Sequence, residues 1–97
     1  MAKANLNGTF SATGVSESVE VSGKYNLTLW GTFVATVVLQ RSFNGGSFHN
    51  VCIDANATPA SYACALSLIL QEPEIGVAYR LKCTAYTSGD LHFRISQ

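Results

Sequence analysis

Hydrophobic and polar residues alternate along most of the chain. Over residues 25–39 the apolar side chains occupy mainly odd positions, and Asn26, Thr28 and Thr36 fall between them. A period of two with β-branched and aromatic residues predicts β-strands that bury one face. The same alternation recurs in three later segments, whose apolar positions are Tyr62, Cys64, Leu66, Leu68 and Leu70, then Val77, Tyr79, Leu81, Cys83 and Ala85, and finally Leu91, Phe93 and Ile95.

These segments predict an all-β fold. About eight short strands without a helix favour an antiparallel two-sheet β-sandwich of the jelly-roll-like kind. Residues 60–71 are rich in Ala and Leu, but their alternation and the polar Ser61 and Ser67 favour a strand over a helix. We expect residues 1–97 to form a single domain, because a chain of this length supports one modest core. Residues 1–5 are too polar for the core and predict a flexible N-terminal arm.

A glycine pair predicts the first hairpin turn. Placing Leu39 opposite Val51 directs both side chains into the core and leaves Asn44, Gly45 and Gly46 as a three-residue loop. In this register Gly46 takes the left-handed conformation. We expect the turn to be structural, because a phosphate cradle needs a strand-to-helix junction, usually with a Lys, and neither is present here.

Two further turns are predicted in the second half of the chain. If Cys83 lies opposite Phe93 in a hairpin, residues 87–89 form the loop and Gly89 is its structural glycine. The sequence EPE around Pro73 predicts a turn between two other strands, because Pro cannot continue a hydrogen-bonded ladder.

Charged residues are scarce. They make up 12% of the chain, about half the roughly 25% of an ordinary soluble domain, and the formal net charge is zero. Such a surface gives little electrostatic repulsion between copies, which favours a protein that works within an assembly. The six Lys and Arg residues form no basic stripe, so we expect no nucleic-acid partner.

Signals for membrane insertion or export are not recognised in the sequence. Residues 25–40 carry no charge, but the run is shorter than a membrane-spanning helix and contains several polar residues. The stretch MAKANLNGTF lacks the apolar core of a signal peptide. We therefore expect no membrane partner and no export.

No arrangement of catalytic residues is evident in the sequence. His49 and His92 are single residues on predicted outward faces, and the acidic residues suggest no pair across a cleft. Cys52, Cys64 and Cys83 lack CxxC spacing and are expected to be small apolar side chains in a reduced core. We therefore expect no enzymatic activity, no metal site and no cofactor.

Trp30 is the unusual residue of the alternating pattern. Counted from the inward-facing Tyr25, Trp30 points outward, where it could anchor an interface or stack on a sugar. A local bulge before Gly31 would instead turn it inward, and the sequence leaves both alternatives open. Phe48 also points outward in the predicted register. Trp30 and Phe48 are therefore the candidate interface residues.

Two stretches resemble segments of small all-β virion structural proteins of tailed bacteriophages. The first is GTFVATVVLQRSFNGGSF at residues 31–48, where a strand of the pattern GTxVxTVxLxRS runs into an NGG turn. The second is EIGVAYRLKCTAYTSGDLHFRISQ at residues 74–97. The similarity lies in residues that build the fold, so the resemblance implies a structural role and names no catalytic position.

The resemblance implies a capsid decoration (cement) protein. Such a protein binds the major capsid protein and also itself, as a homo-oligomer for which we expect a trimer, and it belongs to a virion assembled in the host bacterial cytoplasm. Two alternatives stay open: a virion-attached carbohydrate-binding or adhesin module, and a head-tail joining or tail component. Exposed aromatic side chains flanked by polar groups in a groove would favour sugar binding, whereas a flat apolar footprint would favour a cement protein.

Overall fold

The computed structural model describes residues 5–43, 46–52, 55–56 and 58–97, and all regular secondary structure in them is β-strand. The all-β prediction is confirmed. None of these residues forms a helix that could cross a membrane. The strands are β1 (Asn5–Phe10), β2 (Gly14–Val15), β3 (Val19–Trp30), β4 (Phe33–Phe43), β5 (His49–Asn50), β6 (Ser61–Tyr62), β7 (Leu66–Gly89) and β8 (Leu91–Ser96).

One antiparallel open sheet contains all eight strands. Its order is β1-β8-β3-β7-β4-β5, with β2 added to β7 and β6 added to β4. The 24-residue β7 joins two parts of this sheet: its residues 66–72 pair with β3, its residues 77–79 pair with both β3 and β4, and the pairing with β4 continues to Gly89. We call β1, β8, β3 and residues 66–72 the first arm, and we call residues 77–89, β4, β5, β6 and β2 the second arm.

Both arms contribute to one hydrophobic core. The inward faces that alternation predicts are buried in β3, β4, the second half of β7 and β8, and in β4 the opposite face is also buried at Val38, Gln40 and Ser42. Two aromatic contacts lie in this core: the ring centroids of Phe10 and Phe93 are 5.0 Å apart, and those of Tyr25 and Tyr79 are 4.9 Å apart. The core residues are Leu6, Phe10, Val21, Tyr25, Leu27, Leu29, Ala35, Val37, Leu39, Val77, Tyr79, Leu81, Cys83, Leu91, Phe93 and Ile95.

An irregularity in the β3–β7 ladder marks the junction of the two arms. Val21 pairs with Val77 and Gly23 pairs with Glu72, so between these two pairs β7 contains more residues than β3 does. Such a bulge bends a strand and increases its twist. The predicted turn around Pro73 is therefore wrong as a chain reversal, because β7 continues through it. Pro interrupts the pairing with β3 without ending the strand.

The first hairpin has the predicted register. Gln40 pairs with Asn50, and the Val51 amide donates to the Leu39 carbonyl at 2.8 Å, so Leu39 lies opposite Val51 as predicted. The Gly46 amide donates to the Phe43 carbonyl at 2.9 Å. The left-handed conformation of Gly46 stays a prediction, because its φ depends on Gly45. Asn44 and Gly45 lie outside the described residues.

The second predicted hairpin does not form. Cys83 pairs with Val37 of β4, whereas Phe93 lies in β8, which pairs with β1 and β3. Alternation indicates which face of a strand is buried, but a period of two does not say which strand lies next to which. Gly89 has a φ of +84°, but it pairs with Phe33 of β4 and does not end the predicted hairpin loop.

Two smaller predictions are changed by the structure. Asn5 was assigned to a flexible arm, but it begins β1 and pairs with Ser96, and residues 1–4 lie outside the described residues. Within residues 60–71 the strand prediction is confirmed for β6 and the start of β7, while residues 63–65 between them are not in a strand.

Candidate functional site

Trp30 belongs to a row of three side chains on the outer face of the first arm. Strand pairing places His92 of β8 between Thr9 of β1 and Trp30 of β3. The Trp30 and His92 rings stack with their centroids 5.6 Å apart, and a hydrogen bond of 2.9 Å joins Thr9 Oγ1 to His92 Nδ1. Trp30 is 44% exposed, so it points outward as counting predicted, and no bulge turns it into the core.

A close backbone approach fixes the end of β3 beside this row. Gly31 follows Trp30 with φ of +113°, and a Cβ built there would lie 2.6 Å from the Asp90 carbonyl oxygen. Only glycine allows the two chain segments to come this close. Gly31 thus holds Trp30 next to His92, which follows Asp90 by two residues.

Phe48 lies away from this row, directly before β5 and outside the strands. It is half-buried against Arg80 of β7, whose guanidinium carbon is 3.9 Å from the ring centroid. Arg80 Nε donates to Gln40 Oε1, and Gln40 Nε2 donates to Asn50 Oδ1, each at 2.9 Å. These bonds connect β7, β4 and β5 of the second arm. Trp30 and Phe48 are therefore not parts of one aromatic patch.

A buried carboxylate lies where the two arms meet. Glu72 is 1% exposed and accepts three hydrogen bonds. Tyr79 donates from its hydroxyl at 2.7 Å and Arg41 donates from Nη1 at 3.0 Å, both to Oε1, while the Glu74 amide donates to Oε2 at 3.0 Å. Arg41 also forms the ion pair of this cluster and is 39% exposed. We call Glu72, Arg41, Tyr79 and Tyr25 the Glu72 cluster.

The Glu72 cluster keeps its carboxylate charged. Burial tends to raise the pKa of Glu72, but the hydrogen bonds from Tyr79, the Glu74 amide and Arg41 outweigh burial and lower that pKa. Burial and the nearby Tyr79 and Glu72 raise the pKa of Tyr25. A carboxylate with a lowered pKa is a weak base. The three hydrogen-bond donors to Glu72 are also groups of the protein itself. These properties fit a structural contact between the arms better than proton transfer.

This pKa shift predicts a pH dependence of stability. Because the pKa of Glu72 is lowered by folding, its contribution is complete above the unfolded carboxyl pKa of about 4.3 and is lost as the pH falls through the lower folded value. We expect the difference in unfolding free energy between the wild type and Glu72→Gln to shrink from about pH 6 to about pH 2. The unfolding free energy of Glu74→Gln should show the same pH dependence as that of the wild type. Urea titrations at several pH values test this, and a difference that stays constant would contradict it.

Sequence reasoning missed the Glu72 cluster, although the signal was present. Glu72 continues the inward series of Leu66, Leu68 and Leu70, and Arg41 continues the inward series of β4. Two opposite charges that continue the buried faces of two strands indicate a buried ion pair. The expected turn at Pro73 removed Glu72 from that series.

No protein-family model, curated protein or solved structure matches this chain.

A cavity of about 500 Å³ lies between the arms beside the Glu72 cluster, with Tyr25, Arg41, Asn50 and Tyr62 in its wall. Within the described part of the chain, no buried side-chain nitrogen or oxygen lacks a hydrogen-bond partner. The same residues contain no group of three His, Cys, Asp or Glu that could hold a metal ion. The cavity therefore offers a ligand no unpaired buried polar side chain among these residues.

The cysteines do not form the predicted buried set. Cys83 is buried, and burial raises the pKa of its thiol, which suits an unreactive core residue. Cys52 and Cys64 are exposed, so the prediction of a core position is wrong for both. Alternation had placed Cys64 inward, but residues 63–65 leave the strand geometry that such counting assumes.

The two outer strands of the first arm have open edges. β1 pairs only with β8, and residues 66–72 pair only with β3, within the part of the chain that the structure describes. Neither β1 nor residues 66–71 contains a charged residue or Pro. Ile69 on the second of these edges is 76% exposed, and Ile75 at the nearby bulge is 86% exposed. These uncharged edges are the strongest candidate for an interaction surface.

Proposed function

We propose that this chain is a structural protein of a bacteriophage virion, most simply a capsid decoration (cement) protein that binds and stabilises the shell of the major capsid protein. The proposal includes association with further copies of itself, a trimer being the expected state, and assembly in the bacterial cytoplasm. It assigns the chain no catalytic role, cofactor, nucleic acid or membrane.

The observation that carries this proposal is the pair of uncharged open edges on the first arm. Proteins that work as monomers usually protect such edges with charges, Pro or bulges, because unpaired backbone groups invite another chain to pair. Here β1 and residues 66–71 contain no charged residue and no Pro, although the second edge ends at the buried Glu72 and the bulge, and the whole chain has no net charge to keep copies apart. These properties suit a protein that works within an assembly.

The resemblance to phage virion proteins supports the choice of assembly. The two stretches that carry it contain β4 and residues 77–89 of β7, which pair with each other from Phe33 opposite Gly89 to Phe43 opposite Val77. The resemblance thus covers the centre of the second arm and also β8 of the first arm. The described residues extend over 36 × 35 × 21 Å, a flat shape with broad faces that suits a protein lying on a shell.

The proposed architecture is a jelly-roll-like sandwich in which each arm acts as one layer. The shared core supports this arrangement, because residues of both arms belong to one apolar cluster. The continuous β7 distinguishes it from two separate sheets. In this proposal the bulge around Pro73 is the corner at which the sheet passes from one layer to the other.

The proposed mechanism is cross-bridging of capsid subunits. A protein that binds the assembled shell but not the separated subunits shifts the equilibrium toward the shell by its binding free energy. Burial of apolar surface such as Ile75 would supply part of that energy. A flat footprint of ordinary interface size is sufficient.

Binding to empty shells tests the proposal. We expect purified protein to sediment with expanded shells of its phage at a fixed stoichiometry and to raise their melting temperature. Ile75→Asp should weaken this binding without unfolding the protein, because the side chain is almost fully exposed. Thr87→Asp, an exposed site on the second arm, is the control. Absence of binding to shells, with the protein located at the neck or tail of virions by immunogold labelling, would replace this function with the head-tail joining or tail alternative.

Trp30 favours carbohydrate binding as a second candidate function. An exposed indole beside hydrogen-bonding side chains such as Thr9 and His92 is a surface on which a sugar ring can stack. Trp30→Ala separates the two functions. If the protein is a virion adhesin, this variant loses binding to host-surface glycans, whereas a cement protein with its footprint elsewhere keeps binding to shells.

A further inference from the structure

The first arm ends on both sides in a strand that lacks an outer neighbour among the described residues. We infer that these two edges pair with each other between copies: residues 66–71 of one molecule add to β1 of the next, head to tail. This inference rests on the self-association in the proposed function and is independent of binding to the capsid.

Backbone groups supply the attraction between the edges. In an antiparallel sheet, alternate residues of an edge strand direct their amide and carbonyl groups away from the sheet. These groups bond to water until another strand replaces the water. The occupant must therefore be an extended chain, and an uncharged strand fits the edge LSLILQ, because a charged one would lose hydration without gaining an opposite charge there. β1, with the sequence NLNGTF, is such a strand in every copy.

The strand directions are correct for this pairing. β1 is antiparallel to β8, β8 to β3, and β3 to residues 66–72. The two edge strands of one first arm therefore run in opposite directions. When a second copy is placed beside the first in the same orientation, its β1 lies antiparallel to residues 66–71. The sheet then continues from one molecule to the next with the same alternation of strand direction.

The side-chain faces also agree. β1 and residues 66–71 are both six residues long, and a full overlap places Gly8 opposite Leu68 and Asn7 opposite Ile69. In this register the inner faces bring Leu6 and Phe10 next to Leu70 and Leu66, respectively. The outer faces pair Asn5 with Gln71 and Thr9 with Ser67. Shifting one strand by a single residue would place polar side chains of one copy against the leucines of the other.

Head-to-tail pairing satisfies both edges, whereas a two-fold contact satisfies only one. If residues 66–71 paired with the same residues of a second copy, both β1 edges of the dimer would stay open. A head-to-tail contact uses one edge of each kind, and a closed ring of such contacts leaves no open edge in any first arm. The expected trimer is a ring of this type.

Disulfide cross-linking tests the pairing without any capsid. The starting variant carries Cys52→Ser and Cys64→Ser, which removes the two exposed thiols. Asn7→Cys and Ile69→Cys are then made separately in it, because directly opposed residues in a strand pair are close enough for a disulfide. We expect a cross-linked dimer when the two variants are mixed and oxidised, and a covalent ring when one chain carries both substitutions. Each variant alone should stay uncross-linked.

Val34→Cys, an exposed site on the second arm, should give no cross-link when mixed with Asn7→Cys. Ile69→Cys cross-linking to itself would show the two-fold contact and overturn the inference, as would the absence of any cross-link in the mixture. Sedimentation provides a second measurement: Ile69→Lys should shift the protein from the oligomer mass to the monomer mass, whereas Val34→Lys should not. Shell binding by a protein that fails these tests would leave the proposed function standing.

Discussion

Replacing Glu72 by Gln is expected to lower the free energy of unfolding by about 3 kcal/mol, because three donors would lose their shared charged acceptor in a buried site. The loss falls at the lower end of the range for buried ion pairs, since Arg41 is 39% exposed and can recover hydration. Chemical denaturation at neutral pH measures the change.

Glu74→Gln is the matched control, because it alters the same residue type two positions away at an exposed site. We expect a change of less than about 0.5 kcal/mol for it. Equal effects of the two substitutions would show that the Glu72 cluster does not stabilise the junction of the arms.

Gly89→Ala should have a similarly large effect. At φ of +84° any L-residue is strained by about 1–2 kcal/mol, and at this position a Cβ would also overlap the Thr32 carbonyl oxygen and lie 2.7 Å from the Phe33 Cα. The backbone of β4 must move to relieve the overlap. We expect a total loss of about 3 kcal/mol, measured as a shift of the urea midpoint.

Gly23→Ala separates backbone strain from overlap. Gly23 has a similar φ of +76°, but a Cβ there meets nothing within 4 Å. Its loss should therefore be limited to about 1–2 kcal/mol. If Gly89→Ala and Gly23→Ala unfold at the same urea midpoint, the close approach of Gly89 to β4 is not what requires glycine at position 89.

Alternation along the chain predicted which faces of the strands are buried. The inward series of Tyr25, Leu27 and Leu29 and the outward Trp30 follow from a period of two, because successive side chains of a strand point to opposite faces. The register of Leu39 and Val51 could also be predicted, since it depends on two neighbouring strands and a short turn.

The partners of distant strands could not be predicted in this way. Phe93 fits equally well opposite Cys83 in a hairpin or opposite Leu29 in the sheet, because both arrangements bury it. The choice depends on the competition among all strands for neighbours, which local pattern does not contain. The candidate interaction surface depends on that choice as well, since the sheet order determines which strands are left at the edges.

The position of β8 between β1 and β3 has a consequence for the order of folding. The hydrogen bond between Thr9 and His92 joins residues 83 positions apart, and β1 has no other strand as a partner among the described residues. Pairing over such a sequence separation is slow, because the entropy of closing a large loop is lost before any stabilising contact forms. During synthesis β1 must therefore wait for β8 to leave the ribosome, and until then nascent chains on one messenger expose matching strands to each other.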